Sequence, residues 1–240
     1  MSINKYNIII TGGGRGIGLE LTKFLLKEGH TIICISKSLI ANKNINNLNK
    51  LYKNKVFFYY CDLLSEKKIN FISQKIIKKY KKIDILINNA GVHTPINNFH
   101  KNSFSNWVDT FKVNLFAPFL LTKIFFPLMV KNKFGRIINI SGGGATKSMP
   151  YYSSYAASKS ALIRFSETIA DEIEQLKINI TVNSIAPGFI NTEIHQSSLK
   201  AKKIIEKHYN FTIDKLKSGG DDIDKTCVLI KYLMLKKNKL

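Results

Sequence analysis

Six short apolar runs, rich in isoleucine and valine, constrain the fold of this chain more than any other feature. Most of them are continuous rather than alternating, which is typical of strands buried on both faces of a sheet. The runs are Asn7–Thr11, Thr31–Ser36, Val56–Cys61, Ile83–Asn88, Arg136–Ser141 and Ile178–Ile185. The helix-like stretches between them are Gly16–Glu28, Glu66–Tyr80, Ser103–Val130 and Ser153–Leu176. This alternation predicts an α/β fold with a doubly wound parallel sheet and right-handed crossovers.

The chain of 240 residues suits a single domain, residues 1–240, with no internal repeat or linker. The Asn/Lys-rich region Lys43–Lys50 predicts a poorly packed helix or loop. Residues 193–217 are polar and helical in character and follow a strand end, where α/β folds build their ligand crevice. We therefore predict a mobile substrate-loop segment there. Asp222–Leu233 predicts a last helix.

The net charge of +21 raises the hypothesis of a nucleic-acid-binding protein. Only three of the 37 basic residues are arginines, and the lysines are scattered along the whole chain. Phosphate and base recognition favours the arginine fork, which is scarce here. The composition therefore favours a lysine-rich surface produced by coding bias, with no nucleic-acid partner.

Neither a membrane segment nor a disulfide framework is expected. No run of about 18 apolar residues is present, and the first strand pattern begins too close to Met1 to leave room for a signal peptide. The cysteines are Cys34, Cys61 and Cys227, and their spacing fits neither a zinc site nor paired disulfides. We expect buried thiols, no metal, and a reducing, cytoplasmic location.

A glycine-rich segment, Thr11–Gly18, follows the first apolar run and opens the first helix. Glycines permit a sharp turn and let the helix approach both a pyrophosphate and the sheet, while the helix N-terminus favours an anion. The segment therefore predicts a dinucleotide phosphate cradle, with a flexible glycine loop as the competing interpretation. The predicted cradle residues are Gly12, Gly14, Arg15, Gly16, Ile17 and Gly18.

The end of the second run bears on which nicotinamide dinucleotide would bind. It reads Ile35-Ser36-Lys37-Ser38, without the acidic residue that holds the ribose 2′-hydroxyl in NAD-preferring folds. Arg15 and Lys37, beside Ser36, would neutralise a 2′-phosphate. This favours NADP over NAD, although Lys37 is also interpretable as one more surface lysine.

Tyr155 and Lys159 lie four residues apart on a predicted helix, so their side chains share one face. A free phenol has a pKa of about 10. A nearby ammonium favours the phenolate, so the spacing predicts a lowered pKa for Tyr155. In a chain with a dinucleotide cradle, this pair indicates proton transfer, whereas in isolation it would be interpreted as a solvated Tyr–Lys pair.

From Asn7 to about Thr192, the chain resembles the short-chain dehydrogenase/reductase family, single-domain branch. Thr11–Gly18 matches its TGxxxGxG pattern, and Tyr155 with Lys159 matches YxxxK. The resemblance implies a Rossmann-type domain and an NADP-dependent oxidoreductase acting on a small carbonyl or alcohol substrate. It also implies that Lys159 grips the nicotinamide ribose and that Asn114 helps to hold a water on the proton path. The further cofactor-binding residues that it implies are Asp62, Leu63, Asn89, Ala90, Gly91, Pro187, Gly188, Ile190 and Thr192.

One position departs from the family pattern. A serine is expected thirteen residues before the tyrosine, but position 142 is glycine. The neighbouring Ser141 is a doubtful substitute, because side chains alternate along a strand and it should point away. Three interpretations remain open. Ser141 swings in; another donor replaces the serine (a backbone N–H of Gly142–Gly144, Thr146 or the substrate); or the enzyme is weak, since losing one such donor costs roughly 10²–10³ in rate.

The resemblance also leaves the partners open. The chain reaches Leu240 without the family's seventh strand, which commonly builds a subunit interface, so the expectation of a homo-oligomer is weakened. An anionic substrate is suggested by Lys200, Lys202, Lys203, Lys207 and His208, although coding bias explains the same residues. Two alternatives to an active reductase are a cofactor-binding protein without turnover, motivated by Gly142, and a basic nucleic-acid binder, motivated by the charge.

Overall fold

A computed structural model describes residues 5–200 and 206–236 and contains a six-stranded parallel sheet. The strands are β1 (Asn7–Thr11), β2 (Thr31–Ser36), β3 (Val56–Tyr60), β4 (Ile85–Asn88), β5 (Gly135–Ile140) and β6 (Ile180–Ile185). Their order across the sheet is β3-β2-β1-β4-β5-β6, and every neighbouring pair is parallel. The order reverses between β1 and β4, which opens a crevice at the carboxyl ends of these strands. The predicted doubly wound, Rossmann-type fold is confirmed.

Nine helices are described in residues 5–200 and 206–236. They are α1 (Gly16–Lys27), α2 (Leu39–Leu51), α3 (Glu66–Tyr80), α4 (Phe104–Phe111), α5 (Ala117–Lys131), α6 (Ser153–Gln175), α7 (Gln196–Lys200), α8 (Glu206–Lys217) and α9 (Ile223–Leu235). A π-helical turn at Lys112–Phe116 joins α4 to α5, and short 3₁₀ turns lie at Phe99–Lys101, Gly143–Ala145 and Glu193–His195. The predicted strand and helix ends either coincide with the observed ones or differ by one or two residues, which is the usual uncertainty at element termini.

The sheet is covered on both faces because side chains alternate along each strand. Ile8 and Ile10 of β1 pack in one core with α1, α2 and α9, whereas Ile9 packs in a second core with α3, α5 and α6. The single helix predicted over Ser103–Val130 is instead interrupted by the π-helical turn. The stretch Phe104–Lys131 could cross a membrane by length and composition alone, but its Leu121 and Phe125 are buried against the sheet.

The region Lys43–Lys50, predicted to be a poorly packed helix or loop, is a helix with buried residues. It is part of α2, which begins after Ser38 accepts a hydrogen bond from the Ala41 backbone N–H. Ile45 and Leu48, three residues apart on one face, are buried in the core. The region is therefore a packed helix despite its polar composition, because two apolar residues at helical spacing are enough to anchor it.

The three cysteines are free and buried, as predicted. Burial raises the pKa of the Cys34 thiol to about 12, so this thiol is not ionised near neutral pH. Residues 193–217 contain the last 3₁₀ turn, α7 and α8, which confirms their helical character. Residues 201–205 and 237–240 lie outside the described residues, so the mobility of this segment stays a prediction.

Candidate active site

The glycine-rich loop connects β1 to α1 at the carboxyl edge of the sheet. Gly12 has φ +67°, in the left-handed region that favours glycine. A Cβ on Gly18 would lie 2.3 Å from the carbonyl oxygen of Gly12, so only glycine allows α1 to begin this close to the loop. The Thr22 hydroxyl donates to the Gly13 carbonyl at 2.8 Å and fixes the loop on the helix. The loop therefore has the conformation that a phosphate cradle at a helix N-terminus requires.

The end of β4 is tied directly to this loop. Asn89 Nδ2 donates to the Thr11 carbonyl at 2.9 Å, and the backbone N–H groups of Asn89 and Ala90 donate to Thr11 Oγ1 at 3.0 and 2.9 Å. A Cβ on Gly91 would lie 3.3 Å from Lys159 Nζ. The predicted residues Asn89, Ala90 and Gly91 thus join the glycine loop to the predicted proton-transfer pair.

The two cations predicted to meet a 2′-phosphate are each paired with a carboxylate. Arg15 lies 3.2 Å from Glu193, and Lys37 lies 3.2 Å from Asp62. Three of these four side chains are about half exposed or more, so both ion pairs are weak. Asp62 also accepts the Leu64 backbone N–H at 3.2 Å, which holds the residues after β3, Leu63 among them, in a turn. The structure therefore places Lys37 beside the ends of β2 and β3, and Arg15 at the start of α1, paired with a residue that follows β6.

Asn114 lies in the π-helical turn, a type of irregularity that is frequent at functional sites. Its Nδ2 donates to the Val92 carbonyl at 2.8 Å and to Ser158 Oγ at 3.0 Å, and its Oδ1 accepts the Val92 N–H at 2.9 Å. Ser158 Oγ in turn donates to the Tyr155 carbonyl at 2.9 Å. The Asn114 amide therefore joins the segment after β4 to the turn of α6 that carries Tyr155.

The side chain of Tyr155 lies against position 142. A Cβ built on Gly142 would be 2.1 Å from the Tyr155 hydroxyl oxygen, so position 142 faces the tyrosine as the missing serine would. Ser141 does not substitute for it, because its hydroxyl is buried and donates to the Ile185 carbonyl at 2.9 Å. The doubtful assignment of Ser141 as a catalytic residue is therefore wrong, and strand alternation is the reason.

Lys159 is buried, with 3% of its surface exposed, and its Nζ donates to the Ile140 carbonyl at 2.7 Å. Burial lowers the pKa of Lys159 to about 8. Burial also raises the pKa of Tyr155. The lowered pKa predicted for Tyr155 is therefore wrong for this structure, because desolvation of the phenol dominates and the Lys159 ammonium is directed to a carbonyl oxygen instead.

A cluster of aromatic side chains around Tyr155 was not identified from the sequence. The ring of His93 meets Tyr155 edge-on at 6.1 Å between centroids, and it meets Tyr152 at 5.6 Å. His195 lies 6.3 Å from His93 and stacks on Phe189 at 4.0 Å. Of these residues, only His93 could have been suspected from the sequence. It is one of five histidines and stands two residues after Asn88-Asn89-Ala90-Gly91.

The segment after β6 closes the remaining side of the crevice. A Cβ on Gly16 would lie 3.3 Å from Thr192 Cβ, so the segment Pro187–Thr192, which contains four of the predicted cofactor-binding residues, reaches the start of α1. A cavity of about 330 Å³ lies at this junction and is lined by Gly16, Asn191, Thr192, Glu193, His195 and Leu216. Of the lysines that suggested an anionic substrate, Lys200 is exposed; Lys202 and Lys203, and the side chains of Lys207 and His208, lie outside the described residues.

This arrangement agrees with comparisons to known proteins. A family model described as short chain dehydrogenase matches residues 6–203, which is most of the chain. The chain belongs to the short-chain dehydrogenase/reductase family. This family membership makes the protein an oxidoreductase with a nucleotide-binding Rossmann fold, as the sequence motifs predicted.

Curated relatives of this short-chain dehydrogenase/reductase include two enzymes named 3-oxoacyl-(acyl-carrier-protein) reductase FabG. The one from Aquifex aeolicus is 33% identical over 201 residues, covering 83% of this chain and 79% of the relative. The one from Buchnera aphidicola of Acyrthosiphon pisum is 38% identical over 195 residues, covering 80% and 76%. Both alignments span most of each protein.

Solved structures are similar over comparable lengths. ElxO, whose structure contains NADP, is 29% identical with a TM-score of 0.73, covering 84% of this chain and 80% of that one. An actinorhodin polyketide ketoreductase variant, solved with NADPH, has a TM-score of 0.84 at 23% identity, covering 96% and 90%. The second likeness concerns the fold alone.

Substitution of Gly142 tests what this short-chain dehydrogenase/reductase does without the family serine. Alanine and serine both place a Cβ against the Tyr155 hydroxyl, so both variants must displace it. We expect Gly142→Ala to lower kcat by about tenfold or more, and Gly142→Ser to recover activity, because one such donor is worth roughly 10²–10³ in rate. Steady-state kinetics of the two variants isolates the hydroxyl. Equal activity in both would mean that another group already supplies this hydrogen bond.

Proposed function

We propose that this protein is an NADP(H)-dependent reductase that interconverts a carbonyl and an alcohol, with Tyr155 as the proton donor. The observation that carries this proposal is the position of the Tyr155 hydroxyl. It lies against Gly142, which closely follows β5, while the Tyr155 ring meets His93 in the segment that follows β4 and Lys159 stands one turn further along α6. When bound, NADPH supplies the hydride that the carbonyl carbon receives.

The glycine loop fits a dinucleotide because Gly18, where a Cβ would collide with the Gly12 carbonyl oxygen, lets the N-terminus of α1 begin directly at the loop. The start of α1 would hold the pyrophosphate, and Asn89–Gly91 would line the adjoining nicotinamide side. Lys159, whose Nζ lies beside Gly91 and whose pKa burial lowers to about 8, would hold the nicotinamide ribose. Asn114 would keep this part of α6 in register with the segment after β4.

The preference for NADP rests on Arg15 and Lys37. Because both cations are about half exposed and their ion pairs with Glu193 and Asp62 are weak, a 2′-phosphate can displace the carboxylates at little cost. The relatives support this preference, since ElxO was solved with NADP.

Replacing both cations should change cofactor choice. In Arg15→Ala/Lys37→Ala, we expect the Kd for NADPH to rise by about tenfold or more, because two charge-assisted contacts to the 2′-phosphate are lost, while the Kd for NADH changes by less than about twofold. Fluorescence titration measures both constants. Arg164→Ala is the matched control, since Arg164 is also an exposed arginine in an ion pair, with Glu167 at 2.9 Å. An equal loss for both cofactors would refute the assigned role.

The substrate class that we propose is a 3-oxoacyl thioester or a similar carbonyl carried by an anionic group. The names of the 3-oxoacyl-(acyl-carrier-protein) reductases support the acyl carbonyl. The net charge of +21 supports an anionic carrier, because such a field attracts negative partners. NADPH oxidation at 340 nm with a panel of 3-oxoacyl thioesters and simple ketones tests this class.

A second candidate is a cofactor-binding protein without turnover, which Gly142 favours. Tight NADPH binding together with no activity across the carbonyl panel would support it. Turnover of any carbonyl that depends on Tyr155 would exclude it.

A further inference from the structure

The segment Pro187–Ile190, here called the strap, is attached to the start of the last helix at successive points. The Thr226 hydroxyl donates to the Pro187 carbonyl at 3.2 Å. An antiparallel bridge joins Ile190 to Gly220. These contacts cross about 35 residues of sequence, so the strap has a second support besides its covalent connection to β6.

Asp221 makes the central attachment of the strap. Its Oδ2 accepts the Phe189 backbone N–H at 2.7 Å, and its own N–H donates to the Phe189 carbonyl at 2.7 Å. Lys215 Nζ, near the end of α8, donates to Asp221 Oδ1 at 3.2 Å. The Asp221 side chain therefore joins the strap to the end of α8.

The strap needs such a support because its conformation is unusual. Gly188 has φ +82°, and a Cβ there would lie 2.6 Å from Asp221 Oδ2, so the turn and the carboxylate are fitted closely to each other. Once the Phe189 backbone is fixed, its ring stacks on His195 at 4.0 Å and meets Phe211 edge-on at 6.0 Å. Asp221 thus sets both the backbone of the strap and the aromatic contact beside the crevice.

We infer that Asp221 is a positioning residue that sets the strap for the nicotinamide half of the cofactor, an inference that rests on the proposed function. Fixing the strap before binding saves the entropy of ordering it afterwards, which strengthens affinity without any direct contact. Phe189 of the strap stacks on His195, which lies beside His93 on the Tyr155 side of the crevice, whereas Lys37, which would meet the 2′-phosphate of the adenosine half, follows β2. Loss of the carboxylate should therefore weaken one half of the cofactor selectively.

The test compares two ligands on the full chain: NADPH and adenosine 2′,5′-bisphosphate, which carries only the adenine half. For Asp221→Ala, we expect the Kd for NADPH to rise about fivefold to tenfold while the Kd for the bisphosphate stays within about twofold. Asp221→Asn, which keeps an acceptor of the same shape, should lie nearer to the wild type. Asp214→Asn, an exposed aspartate on α8, is the matched control. Amide hydrogen exchange at Phe189 should be faster in Asp221→Ala without any cofactor.

Three outcomes would overturn this inference while leaving the proposed function standing. They are an equal loss of both ligands in Asp221→Ala, unchanged NADPH affinity, and unchanged exchange at Phe189. A wild-type chain that binds neither ligand would refute the proposed function and the inference together. A selective loss of NADPH affinity with faster exchange at Phe189 would support the inference.

Discussion

Tyr155→Phe is expected to lower kcat for carbonyl reduction by about 10²–10⁴-fold, because it removes the proton donor while keeping the ring that packs in the crevice. The Kd for NADPH should change by less than about twofold, since the hydroxyl is assigned to the reacting oxygen rather than to cofactor binding. Single-turnover kinetics and fluorescence titration measure the two quantities separately.

The control for this variant is Tyr232→Phe, which removes a hydroxyl from an exposed tyrosine on α9. Its kcat should equal that of the wild type. Undiminished turnover in Tyr155→Phe would show that the proton comes from another group and would refute the assigned mechanism. A parallel loss of NADPH binding would instead mean that the hydroxyl supports the cofactor site.

Lys159→Met is expected to abolish most activity and yet to stabilise the fold. Activity should fall by about 10²-fold or more, because the ammonium proposed to hold the nicotinamide ribose is lost. Stability should rise because a buried ammonium with a pKa lowered to about 8 costs free energy while it is charged. The carbonyl of Ile140 loses its donor, which offsets part of the gain. A net gain of about 1 kcal/mol would raise Tm by about 2–4 °C.

The stability gained in Lys159→Met should shrink as the pH rises. The pKa of Lys159 in the folded state is lower than the 10.5 of a free lysine, so the unfolded chain retains its proton to higher pH. The cost of the buried charge is therefore full below pH 8 and disappears as the pH rises from about 8 to 10.5. Urea unfolding of the wild type and of Lys159→Met at pH 7 and at pH 10 measures this cost as the difference between their free energies of unfolding. A gap in stability that does not narrow at high pH would contradict the assigned burial cost.

Much of the fold was predictable because its signals are local. The strand and helix order follows from short apolar runs and helical spacing, and α3 has the predicted bounds, beginning after Ser65, whose side chain accepts the Lys68 N–H at 3.3 Å. The interruption of the helix at Asn114 was not predictable. A π-helical turn depends on the Val92 backbone that Asn114 binds, which is 22 residues away in the sequence.

Some features of the candidate site were likewise predictable from local sequence, and others were not. The glycine loop is a run of consecutive residues, and Tyr155 and Lys159 are one helical turn apart. Both features were therefore predictable from the amino-acid order alone. The departure at Gly142 was also visible in the sequence, as was the alternation that directs Ser141 away. What Tyr155 and Lys159 face, however, depends on strands that arrive from elsewhere in the chain.

The contacts that set the electrostatics of the site became visible only in the folded chain. There, Lys159 donates to Ile140, burial raises the pKa of Tyr155, and Arg15 pairs with Glu193 across 178 residues of sequence. The fold also placed Asp221 beneath the strap. The physical reason is that desolvation and ion pairing depend on which atoms surround a group in space, whereas a sequence pattern specifies only neighbours within a turn or a strand.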